Sequence, residues 1–488
     1  MIKKNLKTLA TFVKRGLAVA AICAVSLPAF AEGYQINSQS ARQEGMGHTG
    51  VALKLGAESM LFNPAGMAFM NSKWDISLGV TGISSKVKHS QGNYKAETDN
   101  PLSTPLFGYI GYKPCKNLAV GVSITNPAGN SVVWPDSWAG SGLIQEISLK
   151  SFCVQPTVSY KFGDIVSVGA GLMIDFGDFK QKKSLVAAGA FDQLGALASM
   201  LPQFGSIGDA IQSFAGQDIA GIELSGDSKV SVGVNIGVLV NVSPKVSIGA
   251  SYRSKVKMTV EEGSAELYYA NDNAKSVINT FTGLDFSNLA GALPPAVASK
   301  LDVNSIKAQQ MQLQAMNVLD GAGFEVSLPI PSITSIGVAY KPTEKWTVTG
   351  DFQYTGWSAY DKLVVKFDES TGNYTLSSHK GYDDSFAIRV GGEYVVSDFA
   401  TVRLGSYIDT TPVQEDNYNP ETPGALVYCA TAGASLSPLK FFTIDIAFAY
   451  LTGKTMHVSC ADVSGTGIYS GTYKKSAFMP AIGLRFKF

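Results

Sequence analysis

The sequence predicts an all-β protein: a transmembrane, 14-stranded antiparallel β-barrel with an N-terminal hatch inside it and two long, partly helical extracellular loops. Three observations lead to this prediction. Segments of about ten residues alternate between apolar and small or polar side chains, and this is the length a tilted strand needs to cross a bilayer. Only 16% of the 488 residues are charged, against about 25% in soluble proteins. The chain also ends in an aromatic strand.

The alternation is clearest in residues 230–238, where every even position is a branched aliphatic residue and every odd one is small or polar. Residues 166–176 and 442–450 repeat it. Soluble β-sandwiches alternate too, but their strands are usually about five or six residues long. No segment after residue 31 has 18 consecutive apolar residues, which excludes a helical membrane protein. Aromatic residues at segment ends suggest an interfacial girdle: Tyr109, Tyr112, Tyr160, Phe162, Tyr340 and Trp346.

Residues 1–31 have the order of a secretory signal peptide. Five basic residues precede a short apolar run, and Ala29 and Ala31 form an A-x-A cleavage site. We expect cleavage after Ala31, a hatch over residues 32–73 and a barrel over residues 74–488.

Fourteen alternating segments can be counted, and an even number is what closure of a bacterial single-chain barrel requires. They start near residues 74, 102, 116, 146, 163, 229, 245, 324, 345, 382, 400, 422, 440 and 474. Short connections alternate with long ones, as periplasmic turns alternate with extracellular loops. The last segment places Ile482, Leu484, Phe486 and Phe488 on one face, which resembles the signal read by the barrel-assembly machinery. A location in the outer membrane of a Gram-negative bacterium, in contact with its lipid, follows.

No cofactor, metal ion, nucleic acid or catalytic site is expected. Residues 45–50 match G-x-G-x-x-G, but no apolar strand precedes them, so they do not predict a dinucleotide site. The four histidines are scattered, no G-x-S-x-G occurs, and basic and acidic residues balance at 39 each. An outer-membrane lipase or protease is therefore disfavoured.

Six segments resemble the FadL-type outer-membrane transporters, whose members take up long-chain fatty acids or, in the TodX branch, aromatic hydrocarbons. These are residues 33–37, 45–50, 63–66, 331–340, 350–358 and 382–412. The resemblance implies a monomeric fourteen-stranded barrel plugged by an N-terminal hatch, and passive transport of hydrophobic molecules across the outer membrane. It does not say which substrate is carried, and the fold alone does not decide it.

The same resemblance implies roles for two parts of the hatch. Movement at Asn63, Pro64 and Ala65 would open a path past it. The mature N-terminus, made of Glu32, Gly33 and Tyr34, would reach the internal binding site.

Two predicted extracellular loops, residues 180–228 and 262–323, are unusually apolar, and much of their apolar spacing is three or four residues. One interpretation is a lid whose loops pack on each other; the other is a substrate-collecting groove built from that lid. The representative groove residues are Leu197, Leu201, Phe204, Phe286, Leu289 and Leu293.

The third segment is interrupted after Thr125 by Asn126, Pro127 and Gly129. Proline removes a ladder hydrogen bond, so it belongs at a strand edge or a bulge. The strand either ends here or is kinked so that the barrel wall opens laterally, as the resemblance to the transporter family implies.

Alternation directs six charged side chains into the lumen: Asp351, Arg253, Arg389, Glu393, Arg403 and Arg485. The tight turn at residues 397–399 places Glu393 opposite Arg403, which predicts a structural pair. An unpaired Arg389 or Arg253 is the better candidate for a substrate carboxylate, because guanidinium binds carboxylates bidentately. Arg403 is kept as a third candidate.

Two rivals and the cysteines remain. A general porin would give a large steady conductance, and an adhesin would bind a surface without affecting uptake. Cys115 lies in a predicted periplasmic turn and Cys460 in an exterior loop, so these two should not pair. Cys153 and Cys429 are interpreted as small wall residues.

Overall fold

The alternating segments of the sequence form a closed antiparallel barrel of fourteen crossings in the computed structural model. The structure describes residues 33–136, 138–186, 218–283, 310–311, 313–314, 316–458 and 470–488. Its strand segments are β1 (Trp74–Thr81), β2 (Ser84–Gln91), β3 (Tyr94–Glu97), β4 (Leu106–Tyr112), β5 (Leu118–Thr125), β6 (Gly129–Val133), β7 (Glu146–Phe162), β8 (Val166–Val186), β9 (Ala220–Asp227), β10 (Ser231–Ser243), β11 (Val246–Arg253), β12 (Val256–Tyr269), β13 (Gly323–Ile330), β14 (Ile333–Thr343), β15 (Trp346–Thr355), β16 (Lys362–Phe367), β17 (Thr375–His379), β18 (Ser385–Val395), β19 (Ala400–Asp409), β20 (Val427–Leu439), β21 (Phe442–Gly453), β22 (Met456–Val458) and β23 (Gly471–Lys487).

Many crossings consist of two successive segments with a short break between them, such as β1 with β2 and β5 with β6. Others are single long strands, such as β7, β8 and β23. The barrel closes where β1 pairs with β23, with Ile76 opposite Phe486. Closure leaves the first and last crossings without a free edge, as a bilayer requires of any spanning sheet.

The outer face of the barrel is the apolar face that the alternation predicts. In β10, the side chains of Val232, Val234 and Ile236 are 66%, 45% and 47% exposed, whereas Asn235 faces inward and is buried. Aromatic pairs ring the end that carries the short turns, including Trp74 with Tyr112 and Trp346 with Tyr394. An outward apolar band with an aromatic rim is typical of outer-membrane barrels.

Tyr109 differs from the expected girdle. Its side chain points into the barrel, is fully buried, and donates a hydrogen bond to the carbonyl oxygen of Gln39 at 2.8 Å. The reason is register, because Tyr109 is an odd position of β4 and the outward positions there are Leu106 and Ile110.

The helices whose two ends both lie among the described residues are short. They are α1 (Ala41–Glu44), α2 (Ser59–Phe62) and α3 (Asp272–Thr282), with 3-10 helices at Gly56–Glu58, Pro64–Phe69, Trp357–Ala359, Glu369–Thr371 and Glu415–Asn417. Among the described residues, no helix has both the length and the apolar character needed to cross a membrane.

The two long loops begin later than the sequence suggested. β8 continues to Val186, β9 already starts at Ala220, and β12 continues to Tyr269. These strand ends carry polar outward side chains, such as Lys180 bridged to Glu146 and Glu223, so hydropathy does not reveal them. The six representative groove residues lie outside the described residues, as does Cys460. Cys115 is exposed, whereas Cys153 and Cys429 are buried.

Candidate functional site

Residues 33–73, called the hatch below, lie inside the barrel and touch its wall on several sides. The carboxylate of Asp351, on β15, accepts the backbone N–H groups of Gly50 and Val51 at 2.6 and 3.0 Å. The hydroxyls of Ser159 and Ser167 both donate to the carbonyl oxygen of Ala65, at 3.1 and 2.9 Å. Because buried backbone groups need partners, these inward polar residues fix where an irregular segment can sit.

Asn63 anchors the hatch both internally and to the wall. Its side-chain oxygen accepts from the Ala65 N–H at 3.1 Å and caps the 3-10 helix Pro64–Phe69. Its side-chain nitrogen donates to the carbonyl of Val51 at 2.7 Å and to that of Val238, in β10, at 2.9 Å. One amide therefore joins two parts of the hatch to each other and to the wall. Pro64 packs on the wall glycine Gly169.

Inward-facing glycines give the hatch its room. A Cβ on Gly391 would lie 2.3 Å from the carbonyl oxygen of Met46, and one on Gly405 would lie 2.2 Å from the N–H nitrogen of Gly47. In β11, a Cβ on Gly249 would lie 2.0 Å from the carbonyl oxygen of Val51. The backbones approach so closely at these positions that only glycine fits.

A buried ionic network ties α1 to the wall. Arg42 of the hatch contacts Glu393 at 3.3 Å, and Arg403 contacts the same carboxylate at 2.8 Å. Arg403 and Arg485 also share Asp445, at 3.4 and 2.5 Å. The expected pairing of Glu393 with Arg403 is confirmed by the register of β18 and β19. Arg403 is fully engaged by protein groups, which argues against its availability to a substrate.

Two further titratable groups of the hatch, Glu44 and His48, are held uncharged. Burial raises the pKa of the Glu44 carboxyl to about 8, although the Thr81 hydroxyl donates to it at 3.1 Å. Burial lowers the pKa of His48 to about 3, and nearby Arg389 contributes to that lowering. At neutral pH the hatch therefore carries no uncompensated charge at these two positions.

The third crossing is kinked rather than ended. β5 stops at Thr125, β6 starts at Gly129, and both pair with β7. β4 pairs with β5, but no described strand pairs with β6 on the side toward β4. The wall is thus interrupted beside residues 126–132.

Side chains replace part of the missing ladder. Asn126 donates to the carbonyl of Ser151 at 2.7 Å and accepts from the N–H of Leu106 at 2.9 Å. The Ser151 hydroxyl accepts from the Ala128 N–H at 2.8 Å. These bonds hold the ends of the break in place.

The N-terminal part of the hatch fills the rest of the break like a short strand. Ile36 donates its N–H to the carbonyl of Pro127 at 3.1 Å, and Gly129 donates its N–H to the carbonyl of Tyr34 at 2.9 Å. Gln35 and Ala128 form an antiparallel bridge between these two bonds. The amide of Gln39 adds a matching pair of bonds to the backbone of Asn126, at 2.5 and 3.0 Å.

Tyr34 connects this seal to the extracellular half of the lumen. Its ring stands edge-on to Trp357 at 4.8 Å and to Tyr360 at 5.7 Å, and its hydroxyl donates to the carbonyl of Pro329. Gly33 packs on the Trp357 ring, where a Cβ would be 2.6 Å away. Tyr34 belongs to a large buried apolar cluster that includes Trp134, Phe179 and Val413. The lumen above the hatch is therefore lined with apolar and aromatic side chains. Glu32 lies outside the described residues.

A small polar cavity of about 50 Å³ lies between hatch and wall and is lined by His48, Asp351, Arg253 and Arg389 among others. This volume is on the order of one or two water molecules, so this cavity does not hold a lipid chain. Arg253 has no ion pair with any residue that the structure describes, and it also lines a pocket beside Tyr34 and Pro127.

The expectation that Arg389 is unpaired is wrong. Its guanidinium contacts Asp409 at 3.3 Å and lies over the Tyr407 ring at 4.8 Å. Asp409 ends β19 directly opposite Ala387, one inward position along β18, so register brings the carboxylate to the arginine. Alternation predicts the direction of Arg389 but not its diagonal neighbour.

A second cationic position was missed by the sequence-based prediction. Lys380 and Glu421 form an ion pair and are only 1% and 3% exposed. Lys183, an inward-facing residue near the C-terminal end of β8, interacts electrostatically with both. Tyr360 and Tyr382 enclose the pair, with ring centroids 5.0 Å apart. Neither Lys380 nor Glu421 lies in an alternating segment, so no periodicity marks them as inward.

Comparison with known proteins adds three findings. The family model described as "Outer membrane protein transport protein (OMPP1/FadL/TodX)" matches residues 22–488. The long-chain fatty acid transport protein of Salmonella typhi is 24% identical over 457 residues, covering 92% of this chain and 93% of the relative. That of Escherichia coli (strain K12) is 23% identical over 469 residues, covering 92% and 94%.

Two solved structures share the fold. A FadL homologue from Pseudomonas aeruginosa superposes with a TM-score of 0.70 at 19% identity, covering 94% of this chain and 100% of the other. The toluene transporter TodX from Pseudomonas putida superposes with a TM-score of 0.64 at 14% identity, covering 94% and 100%. The fold is thus shared by a FadL homologue and by a protein named as a toluene transporter.

Proposed function

Because the chain belongs to the OMPP1/FadL/TodX family of outer-membrane transport proteins, we propose that it carries long-chain fatty acids passively across the outer membrane. The extracellular loops capture the substrate, the lumen binds it, and it leaves sideways through the wall at residues 126–132. The observation that carries this proposal is the seal at the break. There, the backbone of Tyr34 and Ile36 replaces a neighbouring strand, and a segment bound by a few hydrogen bonds is easier to displace than a full ladder.

The apolar lumen suits a long hydrocarbon chain. A fatty acid is almost insoluble, so it needs continuous apolar surface with polar groups only where its head is held. The buried cluster around Tyr34, Trp357 and Tyr360 supplies such surface down to the seal. Leu197, Leu201, Phe204, Phe286, Leu289 and Leu293 are proposed to collect the substrate outside.

Buried cations favour a carboxylate substrate over an uncharged hydrocarbon. Lys380 and Lys183 lie in the extracellular half of the lumen, and Arg253 lies beside the break. A carboxylate passing inward would meet the two lysines first and the arginine last, next to its exit. An uncharged aromatic ring would make only a cation–π contact at either position, which is weaker than the charge-assisted hydrogen bonds that a carboxylate would make there.

Opening requires the hatch to move away from the break. Asn63, Pro64 and Ala65 fix its central part to the wall, and the segment from Gly33 to Gln39 forms the seal. We propose that substrate arriving at Tyr34 breaks the bonds to Pro127 and Gly129 first. The anchoring at Asn63 then determines how far the gap opens.

Uptake by bacteria lacking their own transporter tests the proposal. The cells would express this protein or a variant in which residues 126–129 are replaced by strand-forming residues, and would receive labelled oleate or labelled toluene. We expect saturable oleate uptake by cells with the unmodified protein and none through the variant. A heat-dependent shift in the electrophoretic mobility of the variant would show that its barrel still assembles. Unchanged oleate uptake in the variant would remove the lateral exit.

The same assay decides the alternative substrate. A toluene transporter of similar fold exists, so toluene uptake without oleate uptake would assign this chain an aromatic hydrocarbon. Entry of neither compound through a correctly assembled barrel would contradict both assignments.

A further inference from the structure

The loop between β19 and β20, residues 410–426, folds into the barrel and is called the inward loop. Val413, Tyr418 and Ala425 belong to the buried apolar cluster of the upper lumen. Tyr418 packs on Tyr473 of β23 with ring centroids 4.6 Å apart. An extracellular connection would ordinarily be polar and exposed, so this loop occupies space that a substrate would otherwise have.

The inward loop places one carboxylate among the buried cations. One oxygen of Glu421 accepts from the ammonium of Lys380, and the other accepts from the side-chain amide of Gln181 at 3.0 Å. Lys183 is the second cation facing this carboxylate. The charged groups named here are thus two ammonium groups and one carboxylate, and they lie beside Tyr360 and Tyr382.

We infer that Glu421 is a built-in competitor that occupies the carboxylate site of Lys380 until a substrate carboxylate displaces it; this inference rests on the proposed function. A buried cation stripped of its partner is strongly disfavoured. Replacing one carboxylate by another leaves the charge around Lys380 unchanged, so a fatty acid can enter at little electrostatic cost. A molecule without a carboxylate cannot make this exchange. Glu421 is thereby a specificity-determining residue.

Displacement would also reach the interrupted crossing. The backbone carbonyl of Glu421 accepts from the Asn130 side chain at 2.8 Å, and that of Pro420 accepts from the Trp134 indole at 3.3 Å. Asn130 lies in β6 and Trp134 follows it. The inward loop, which carries Glu421, is therefore also bonded to β6 beside the break in the wall. When Glu421 leaves Lys380, the inward loop and β6 are both released.

Ligand binding to purified full-length protein in an uncharged maltoside detergent tests the inference. The ligands are oleate and oleyl alcohol, which share a chain but differ in the carboxylate. We expect Glu421→Gln to bind oleate at least about tenfold more tightly than the unmodified protein, and to bind oleyl alcohol with unchanged affinity. Glu415→Gln is the matched control, because Glu415 lies in the same loop but is exposed.

A double variant guards against an effect of folding. Lys380→Met with Lys183→Met removes both cations that face Glu421, so adding Glu421→Gln to this protein should no longer alter oleate affinity. Unchanged or weaker oleate binding by folded Glu421→Gln protein would overturn the inference, as would an equal gain for oleyl alcohol. Failure of the unmodified protein to bind oleate at all would instead overturn the proposed function.

Discussion

Asn63 shows how one side chain can position an irregular segment in a closed barrel. Its amide makes three hydrogen bonds, two within the hatch and one to Val238 of the wall. It is fully buried, so none of these bonds can be exchanged for water at no cost. At the point where the hatch touches β10, its docked position therefore depends on Asn63 together with Asn235 of β10, whose side chain donates to the carbonyls of Met60 and Leu61.

Replacing Asn63 by Ala should loosen the hatch and leave the barrel assembled. Two buried carbonyl oxygens and one N–H would lose their partner, which costs about 1–3 kcal/mol of docking free energy for such groups. Limited proteolysis of the hatch measures its loosening, and the heat-dependent shift in electrophoretic mobility shows whether the barrel has assembled. Asn63→Asp keeps the helix cap but not the donor, so it should loosen the hatch as well. Wild-type protease resistance in both variants would show that the hatch is held elsewhere.

For single residues, the sequence predicts whether a side chain points into the barrel better than it predicts which residue that side chain pairs with. Alternation correctly turns Arg253, Arg389 and Arg403 inward, and the tight turn correctly pairs Arg403 with Glu393. It fails for Arg389, because the partner Asp409 is a diagonal neighbour on the next strand and no local pattern marks it. It is silent on Lys380 and Glu421, since both lie in connections whose path is set by tertiary packing.

At the scale of elements, the wall strands carry two different kinds of glycine. Inward glycines such as Gly391 and Gly405 touch the backbone of the hatch. Outward ones such as Gly392 have open space around them, because a Cβ added there would have its nearest neighbour 3.9 Å away. The sequence shows small residues on one face of each strand, but it does not show which of them receive the hatch.

The adjacent pair Gly391 and Gly392 allows a matched test. Gly391→Ala should expel the hatch from that side of the wall, because its Cβ would lie 2.3 Å from the Met46 carbonyl and backbone cannot yield cheaply. Overpacking of this kind costs about 1–3 kcal/mol. Faster proteolysis of the hatch and higher single-channel conductance are expected, whereas Gly392→Ala should behave as wild type. Equal behaviour of the two variants would contradict the close approach.

For the whole molecule, the sequence was sufficient to predict the barrel but not to predict how the hatch is arranged inside it. Fourteen crossings could be counted because each must present apolar side chains to lipid over a bilayer's thickness. Strand ends above the membrane, such as the last residues of β8 before Val186, obey no such rule and were missed. The path of the hatch depends on contacts between residues far apart in the chain, and the seal of Gln35 on Ala128 is one of them.

In the proposed function, substrate leaves sideways only after this seal opens. A reversible cross-link across the seal tests that requirement. Gln35 and Ala128 face each other as a pair flanked by two backbone hydrogen bonds. Such pairs have Cα atoms about 4.5 Å apart, within the range that a disulfide spans. Gln35→Cys with Ala128→Cys, made in a background with Cys115→Ser, should therefore form a disulfide on oxidation.

Oleate uptake would be measured in cells carrying this double variant, before and after oxidation and again after reduction, with each single cysteine variant as control. We expect oxidation to reduce uptake to the background of cells without the protein, and reduction to restore it. Uptake that continues at its reduced-state rate while the hatch is covalently fixed to the break would contradict the lateral exit.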